Sequence, residues 1–318
     1  MDINVFSKSE VPIVLGALKT VAADPQALTT QEFQFLQTLN QLYQNDKSVD
    51  NLPDIKLLDV AEKITDFHRR KRLLQLAIVM AMVEGKILPR QEVGLKAIAQ
   101  ILSVSDRSLQ ILHEINKGHQ LFAQILMMQR IMGNFLVTAY REQGLTGLSQ
   151  ILKPLLWQRG GEYPPLAERF YQLKLLPKNT LGYCFWQHCT ERKFKFPGEE
   201  GAIPERLVFH DFGHILSGYD TNPMGEIQQG AFQAGFVRDD GFKFLVFAIL
   251  QFHWGVKITP VADAQKGLFD SARVMQALQR GAACKVDLSK NWNFWEVVNV
   301  PLDELRDRYN IPALASVT

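Results

Sequence analysis

Apolar side chains recur every three or four residues along the first half of the chain, and this spacing constrains the fold more than any other feature. In the segment TTQEFQFLQTLNQLYQND, Phe33, Leu36, Leu39 and Tyr43 would share one face of a helix. The threonines and Glu32 that precede them are typical of a helix N-terminal cap. We therefore predict a helix here whose apolar face is buried.

The same period continues through the segments that follow. Residues 57–85 predict one long helix that Gly85 ends, and the next helix has Pro89 in its first turn. Residues 105–140 continue the helical pattern, and the first half contains no convincing strand. These patterns, together with further helical segments in the second half, predict an all-α protein.

Closely spaced Gly-Gly and Pro-Pro pairs in KPLLWQRGGEYPPLAERF mark a break in the helical pattern. We place a domain boundary there and predict two helical domains, over residues 1–155 and 156–318. The first is an all-helical domain whose family resemblance is given below, and the second carries a metal site for the reasons also given below.

Composition excludes several classes of partner and location. The chain has 35 Lys and Arg against 33 Asp and Glu, so it lacks the strongly basic character of a nucleic-acid-binding protein. Three cysteines without a CxxC spacing favour a reducing cytoplasm. The most apolar run, residues 242–256, is too short to span a bilayer. We expect a cytoplasmic protein that can associate peripherally with a membrane, and its apolar helical surfaces are compatible with a homodimer.

The stretch HDFGHILSGYDTNPMGE contains the residue types of a metal site. On a helix, His210 and His214 would project from one face about 5–6 Å apart, the spacing of helical His-x-x-x-His metal pairs. Asp211 lies about 100° around the helix axis, so it could reach the ion or accept an imidazole N–H. Gly218 should end this helix, and a following helix could bring Glu226 back over the histidines.

Such a site would leave coordination positions open, as catalytic metal sites do. Its donors suit zinc first, and also iron or manganese. The alternative is that His210 packs or caps and that Glu226 is an ordinary acid in the first turn of a helix.

The spacing His210-Asp211-x-x-His214-x11-Glu226 is similar to the signature of the ubiquinone (coenzyme Q) biosynthesis family known by the yeast name "Coq four". The segments LLPKNTLGYCFWQHC, HILSGYDTNPMGE and RGAACKVDLSKNWNFWEVVNVPLDELRDRYNI resemble further family segments in the same order. The last of them carries the family's Trp-Glu and Pro-Leu-x-x-x-Arg. The resemblance covers residues 165–312.

This resemblance implies an all-helical domain that binds a divalent metal and acts on polyprenylated quinone precursors. The implied chemistry removes the ring carboxyl of a prenylated hydroxybenzoate at the carbon that becomes hydroxylated. The family is also described as organising a membrane-associated biosynthetic complex, so other quinone-biosynthesis proteins are expected partners. The residues that the resemblance implies as metal ligands and as catalytic residues are His210, Asp211, His214 and Glu226.

The segment FKFLVFAILQFHWG is expected to bind the isoprenoid tail, or to form a buried core helix, and both can hold. The side chains that would contact the lipid are Phe242, Phe244, Phe247 and Phe252. Arg238 and Lys243 are candidates for binding a carboxylate or phosphate headgroup.

In the N-terminal half, LQLAIVMAMVEGKILPRQEVGLKAIAQIL resembles the TerB tellurite-resistance family, over residues 60–115. That family is all-helical, with an apolar helix, an acidic-Gly turn and a second helix with an early Glu. The turn here is Glu84-Gly85, where the family usually has Asp-Gly. The resemblance implies a helical packing or interaction domain.

Three other functions use parts of the same pattern. A phosphohydrolase of the HD superfamily would use His188, His210-Asp211 and Asp263, and would leave His214 and Glu226 without a role. A His-Glu-x-x-His metalloprotease would have its base misplaced, because Asp211 is one methylene shorter than Glu. The non-enzymatic alternative is a scaffold that binds a prenyl lipid.

Overall fold

The structure is a computed structural model that describes residues 1–22, 24–53, 55–133, 163–259 and 262–314. Within these ranges the chain forms helices joined by turns and no β-strand, with two isolated bridges, Thr180 to Pro301 and Trp254 to Lys266. The predicted all-α fold is confirmed. The predicted domain boundary at 155/156 lies outside the described residues, so the two-domain division stays a prediction.

The α-helices of the described residues follow one another in the order α1 (Val11–Lys19), α2 (Thr30–Leu42), α3 (Leu57–Lys63), α4 (Phe67–Met82), α5 (Pro89–Ile101), α6 (Arg107–Asn116), α7 (described over 120–133), α8 (Pro164–Tyr171), α9 (Leu181–Arg192), α10 (Phe209–Ser217), α11 (Pro223–Phe236), α12 (Phe242–Phe252), α13 (Ser271–Ala283) and α14 (Leu302–Tyr309).

The caps of the early helices show where sequence and structure agree and where they differ. Thr29 and Glu32 form the capping box predicted for α2. The single helix predicted over residues 57–85 is wrong, because the chain forms α3 and α4 with a break between them. Ile64 is extended there, and the Asp66 side chain accepts the backbone N–H of Arg69 to start α4. The regular spacing of apolar residues continues across the end of α3 and the start of α4. This spacing alone therefore does not reveal the break between the two helices.

Helix α11 lies at the centre of the C-terminal half and packs against both α12 and α13. Gly235 of α11 and Gly281 of α13 allow the closest approach of these helices. A Cβ on Gly235 would lie 2.4 Å from the backbone nitrogen of Ala282, and one on Gly281 would lie 1.9 Å from the carbonyl oxygen of Phe232. Any larger side chain at either position would push the two backbones apart.

The two halves of the chain share one hydrophobic core, in which α2 packs on α13 and α4 packs on α12. Two side chains of the C-terminal half also satisfy carbonyls at the end of α4. His253 Nε2 donates to the Val83 carbonyl at 2.8 Å, and Trp254 Nε1 donates to the Met82 carbonyl at 2.9 Å. The last turn of α4 therefore obtains its missing hydrogen-bond partners from the other half.

A buried ion cluster makes a second link between the halves. Arg130 of α7, which is 4% exposed, lies 3.0 Å from a carboxylate oxygen of Asp106 and donates to both oxygens of Asp240 at 2.8 and 2.9 Å. It also donates to the Ser108 hydroxyl at 2.6 Å. A buried cation held by two carboxylates is costly to break, because removing it leaves charges without a partner.

We predict that Arg130→Met lowers the free energy of unfolding by about 3–5 kcal/mol, because Asp106 and Asp240 lose their buried counter-charge. Urea denaturation followed by circular dichroism measures this loss. The matched control is Arg273→Met, at an exposed pair with Asp270, which should change the free energy by at most about 1 kcal/mol. Equal effects of the two substitutions would contradict the role of the cluster.

Candidate metal centre

Helix α10 buries one face and presents two histidines on another. Phe212 packs on Phe185 and Phe294, with ring centroids 4.4 and 4.8 Å apart, and this aromatic cluster sets the rotation of the helix. His210 and His214 then lie together on a different face, with their ring centroids 4.8 Å apart. The predicted pairing of the two imidazoles on one helix face is confirmed.

The turn after α10 brings a carboxylate back over these rings. Gly218 ends the helix in the left-handed region at φ 79°, as predicted. Asn222 then caps α11 by accepting the Gly225 N–H at 2.9 Å, which places Glu226 in the first turn. The two oxygens of Glu226 each lie 3.4 Å from a histidine, one from His210 Nε2 and the other from His214 Nε2.

Hydrogen bonds to the far ring nitrogens select the tautomer of each histidine. His210 Nδ1 lies 3.0 Å from Gln233 Oε1, and His214 Nδ1 lies 3.0 Å from the carbonyl oxygen of Tyr219. Both partners are acceptors, so each Nδ1 carries a proton and donates it. This leaves Nε2 of each ring as the atom that would bind a metal, which is the usual arrangement around metal-bound histidines.

The distances within this group fit a bound ion. The two Nε2 atoms are 3.2 Å apart, and the ligand atoms of His210, His214 and Glu226 all lie within 4.8 Å of one another. Ligands at about 2.0–2.1 Å from a tetrahedral zinc are separated by about 3.3 Å. A set of two histidines and one carboxylate also suits iron or manganese, so the donors do not select one metal.

Without a metal ion, Glu226 and His210 favour an ion pair, with the carboxylate negative and the imidazole positive. Burial raises the pKa of Glu226, but hydrogen bonds from both histidines outweigh it and bring the pKa to about 2. Burial also opposes charge on His210, while the hydrogen bond and charge of Glu226 raise the pKa of His210 to about 9. A metal ion at this site would therefore replace a proton shared by the group.

Access to the group is uneven. The side chain of His214 is 1% exposed and that of His210 is 37% exposed. Three protein ligands with one partly exposed ring leave room for a non-protein ligand, as in catalytic metal sites.

Asp211, the fourth predicted ligand, is not part of this group. Its side chain is half-buried, and burial raises the pKa of its carboxyl above the ordinary range. Its part in metal binding stays a prediction.

The aromatic residues predicted to bind lipid belong to the core helix α12. Three of them are buried, and the fourth, Phe247, packs against the core in part. The expected core helix is thus present. Lipid binding by Phe242, Phe244, Phe247 and Phe252 stays a prediction.

The two predicted headgroup residues differ in their surroundings. Arg238 is exposed, and its guanidinium donates to the carbonyl oxygen of Cys284. Lys243 is 2% exposed and lies over the ring of Phe244, with burial lowering the pKa of its ammonium group. Headgroup binding by Arg238 and Lys243 stays a prediction.

The ligand set of an HD phosphohydrolase is not assembled. The Asp263 side chain is 89% exposed and faces Lys257 at 3.4 Å, and it is not part of the His210–His214–Glu226 group.

Two arginines that the sequence analysis did not assign hold the end of α10. Arg306 donates to the carbonyls of Ile215 and Leu216, each at 3.0 Å, and Arg280 donates to the carbonyl of Ser217 at 2.9 Å. Cations at a helix C-terminus satisfy its free carbonyls and complement its dipole. The sequence analysis did include Arg306, as the Arg of Pro-Leu-x-x-x-Arg in the closing segment. No sequence pattern indicates that this arginine binds the end of α10.

No family model and no curated protein matches the sequence. Among solved structures, the chain is similar to a crystal structure from Nostoc punctiforme PCC 73102, described provisionally as a ubiquinone biosynthesis protein. The two are 16% identical with a TM-score of 0.34, over 65% of this chain and 96% of the other. In the described part of this chain, no helix combines the length and apolar character needed to cross a membrane.

We predict that Gln233→Leu weakens metal binding about 10- to 100-fold, because His210 loses the acceptor that fixes its tautomer and ring orientation. Titration of zinc against a competing chelator measures the affinity. Gln228→Leu makes the same change on the same helix and should leave the affinity unchanged. An unchanged affinity in Gln233→Leu would contradict the assigned tautomer.

Proposed function

We propose that this protein is a metal-dependent protein of polyprenyl-quinone biosynthesis that acts on the ring carboxyl of a prenylated hydroxybenzoate. The reaction breaks the bond between the ring and that carboxyl, releases CO2 and leaves a proton in its place, and hydroxylation of this carbon would be an oxidation that consumes O2. The observation that carries the proposal is the group of His210, His214 and Glu226, whose atoms fit one ion. A second role, in organising the biosynthetic complex at the membrane surface, is part of the proposal.

Sequence and geometry support the proposal in different ways. The spacing His210-Asp211-x-x-His214-x11-Glu226 resembles the signature of the ubiquinone biosynthesis family, and it is the source of the substrate class. The geometry supports metal binding, because three of these four residues face a common point with both Nδ1 atoms engaged elsewhere.

The residues of the chain have separate tasks in this scheme. His210, His214 and Glu226 would hold the metal, with zinc expected first, and the metal would supply Lewis-acid chemistry or, as iron, oxygen activation. Gln233 and the Tyr219 carbonyl orient the two rings. The partly exposed His210 marks the side from which a ligand can reach the centre.

The proposed partners follow from the same chemistry. A prenylated quinone precursor is the ligand, and other proteins of quinone biosynthesis bind the organiser. Cytoplasmic location with peripheral membrane association, and a homodimer, belong to the proposal as expectations.

We predict that the metal-loaded protein releases CO2 from a prenylated 4-hydroxybenzoate and that Glu226→Gln reduces the rate at least about 100-fold, because the site loses its anionic ligand. Single-turnover assays with a carboxyl-labelled substrate measure the release. Glu168→Gln, on the surface helix α8, is the matched control and should retain the wild-type rate.

The same assay separates the enzyme from a non-catalytic scaffold. A scaffold would bind the prenylated substrate equally well with Glu226 or Gln at this position, and neither protein would release CO2. That result would contradict the proposed enzyme.

A further inference from the structure

A polar cleft of about 360 Å³ lies beside the metal centre, between α9 and the turn that joins α10 to α11. The residues of its wall that matter here are His188, Glu191, Arg192, His214 and Asp220. Its volume is at the lower end for ligand sites, so it suits a small molecule or the polar end of a larger one. His214 belongs to the wall of the cleft and to the metal centre, and it is the residue that connects the two.

The imidazole of His188 is a buried polar group that lacks a partner. His188 is 7% exposed, and its Nε2 makes no hydrogen bond to any residue that the structure describes. A buried nitrogen in this state is unfavourable, because it has lost water without gaining another hydrogen-bond partner. Its ring lies 6.1 Å from the ring of His214. Burial, and then the charge of Arg192, lower the pKa of His188 to about 3, so the ring is neutral near neutral pH.

Arg192 lies one turn after His188 on the same face of α9. Its guanidinium donates one short hydrogen bond, from Nε to the Thr221 hydroxyl at 2.9 Å. The carboxylates beside it, of Asp220 and Glu191, are 3.6 and 3.9 Å away. Apart from Nε–H, the N–H donors of Arg192 therefore make no short hydrogen bond to the described residues.

Both acids form long ion pairs with this arginine. Asp220 and Glu191 are both more than half exposed, and ion pairs of exposed groups at such distances are weak. One oxygen of Asp220 also accepts the backbone N–H of Thr221 at 2.6 Å. Arg192 is less exposed, at 30%, and its planar donors match the two oxygens of a carboxylate.

We propose that this cleft binds the carboxylate of a small aromatic acid through Arg192, with His188 forming a further polar contact to the same ligand. This inference rests on the proposed function, since the carboxylate would be that of the precursor ring. In this proposal, residues of α9 bind the carboxylate of the aromatic acid, and the metal is bound by His210, His214 and Glu226.

The test is calorimetric titration of the full zinc-loaded chain with 4-hydroxybenzoate. We expect Arg192→Gln to weaken binding roughly tenfold or more, since charge-assisted hydrogen bonds are lost. His188→Gln, which keeps a hydrogen-bonding side chain, should weaken it less. Arg273→Gln removes one exposed positive charge elsewhere and should leave the affinity unchanged. The neutral 4-hydroxybenzamide should bind with an affinity that Arg192→Gln does not change.

Several outcomes would overturn this inference. They are no binding of 4-hydroxybenzoate to the wild type, equal binding by wild type and Arg192→Gln, or binding that survives Arg192→Gln and disappears when zinc is removed. The last would place the carboxylate on the metal. Equally tight binding of inorganic phosphate that displaces 4-hydroxybenzoate would overturn the assignment to an aromatic acid.

The same experiment keeps this inference separate from the proposed function. Zinc content is measured in every sample, together with the thermal melt as a check of the fold. A wild type that binds no metal would end the proposed function, while Arg192-dependent binding in that protein would still support the cleft. Normal metal content with no effect of Arg192→Gln would end the cleft alone.

Discussion

The hydrogen bond between His214 Nδ1 and the carbonyl oxygen of Tyr219 is the contact on which the metal centre depends. It directs Nε2 of a fully buried ring toward Glu226, and it forms only if the chain turns sharply after α10. Gly218 supplies that turn in the left-handed region. Arg280 and Arg306 donate hydrogen bonds to the last carbonyls of α10, and these bonds fix the position at which the turn begins.

The centre also depends on the position of α11, because this helix supplies Glu226 from its first turn and Gln233 from two turns later. Its depth in the core is set by close contact with α13 through Gly235 and Gly281. Since α13 packs on α2 and α12 packs on α4, the N-terminal helices support the same core. The support for the metal centre therefore extends through both halves of the chain.

Local signals in the sequence predicted much of this arrangement. Helical period, caps and the Gly218 turn predicted α10 and α11, and the spacing of two histidines on one turn predicted their convergence. The break at Ile64 was missed because the apolar period runs through it. The roles of Gln233 and Arg280 could not be predicted, since each contacts a residue far away in the chain. The burial of Lys243 could not be predicted either, because it results from helix packing and a lysine is usually exposed.

The central claim is that His210 and His214 hold a metal ion. Metal analysis by plasma mass spectrometry, on the purified chain and on the His210→Ala/His214→Ala double variant, tests it most directly. We expect about one zinc, iron or manganese ion per chain in the wild type, and loss of that ion in a variant that keeps the helical circular dichroism spectrum. The absence of metal from both proteins, even after reconstitution with each of the three ions, would contradict the account.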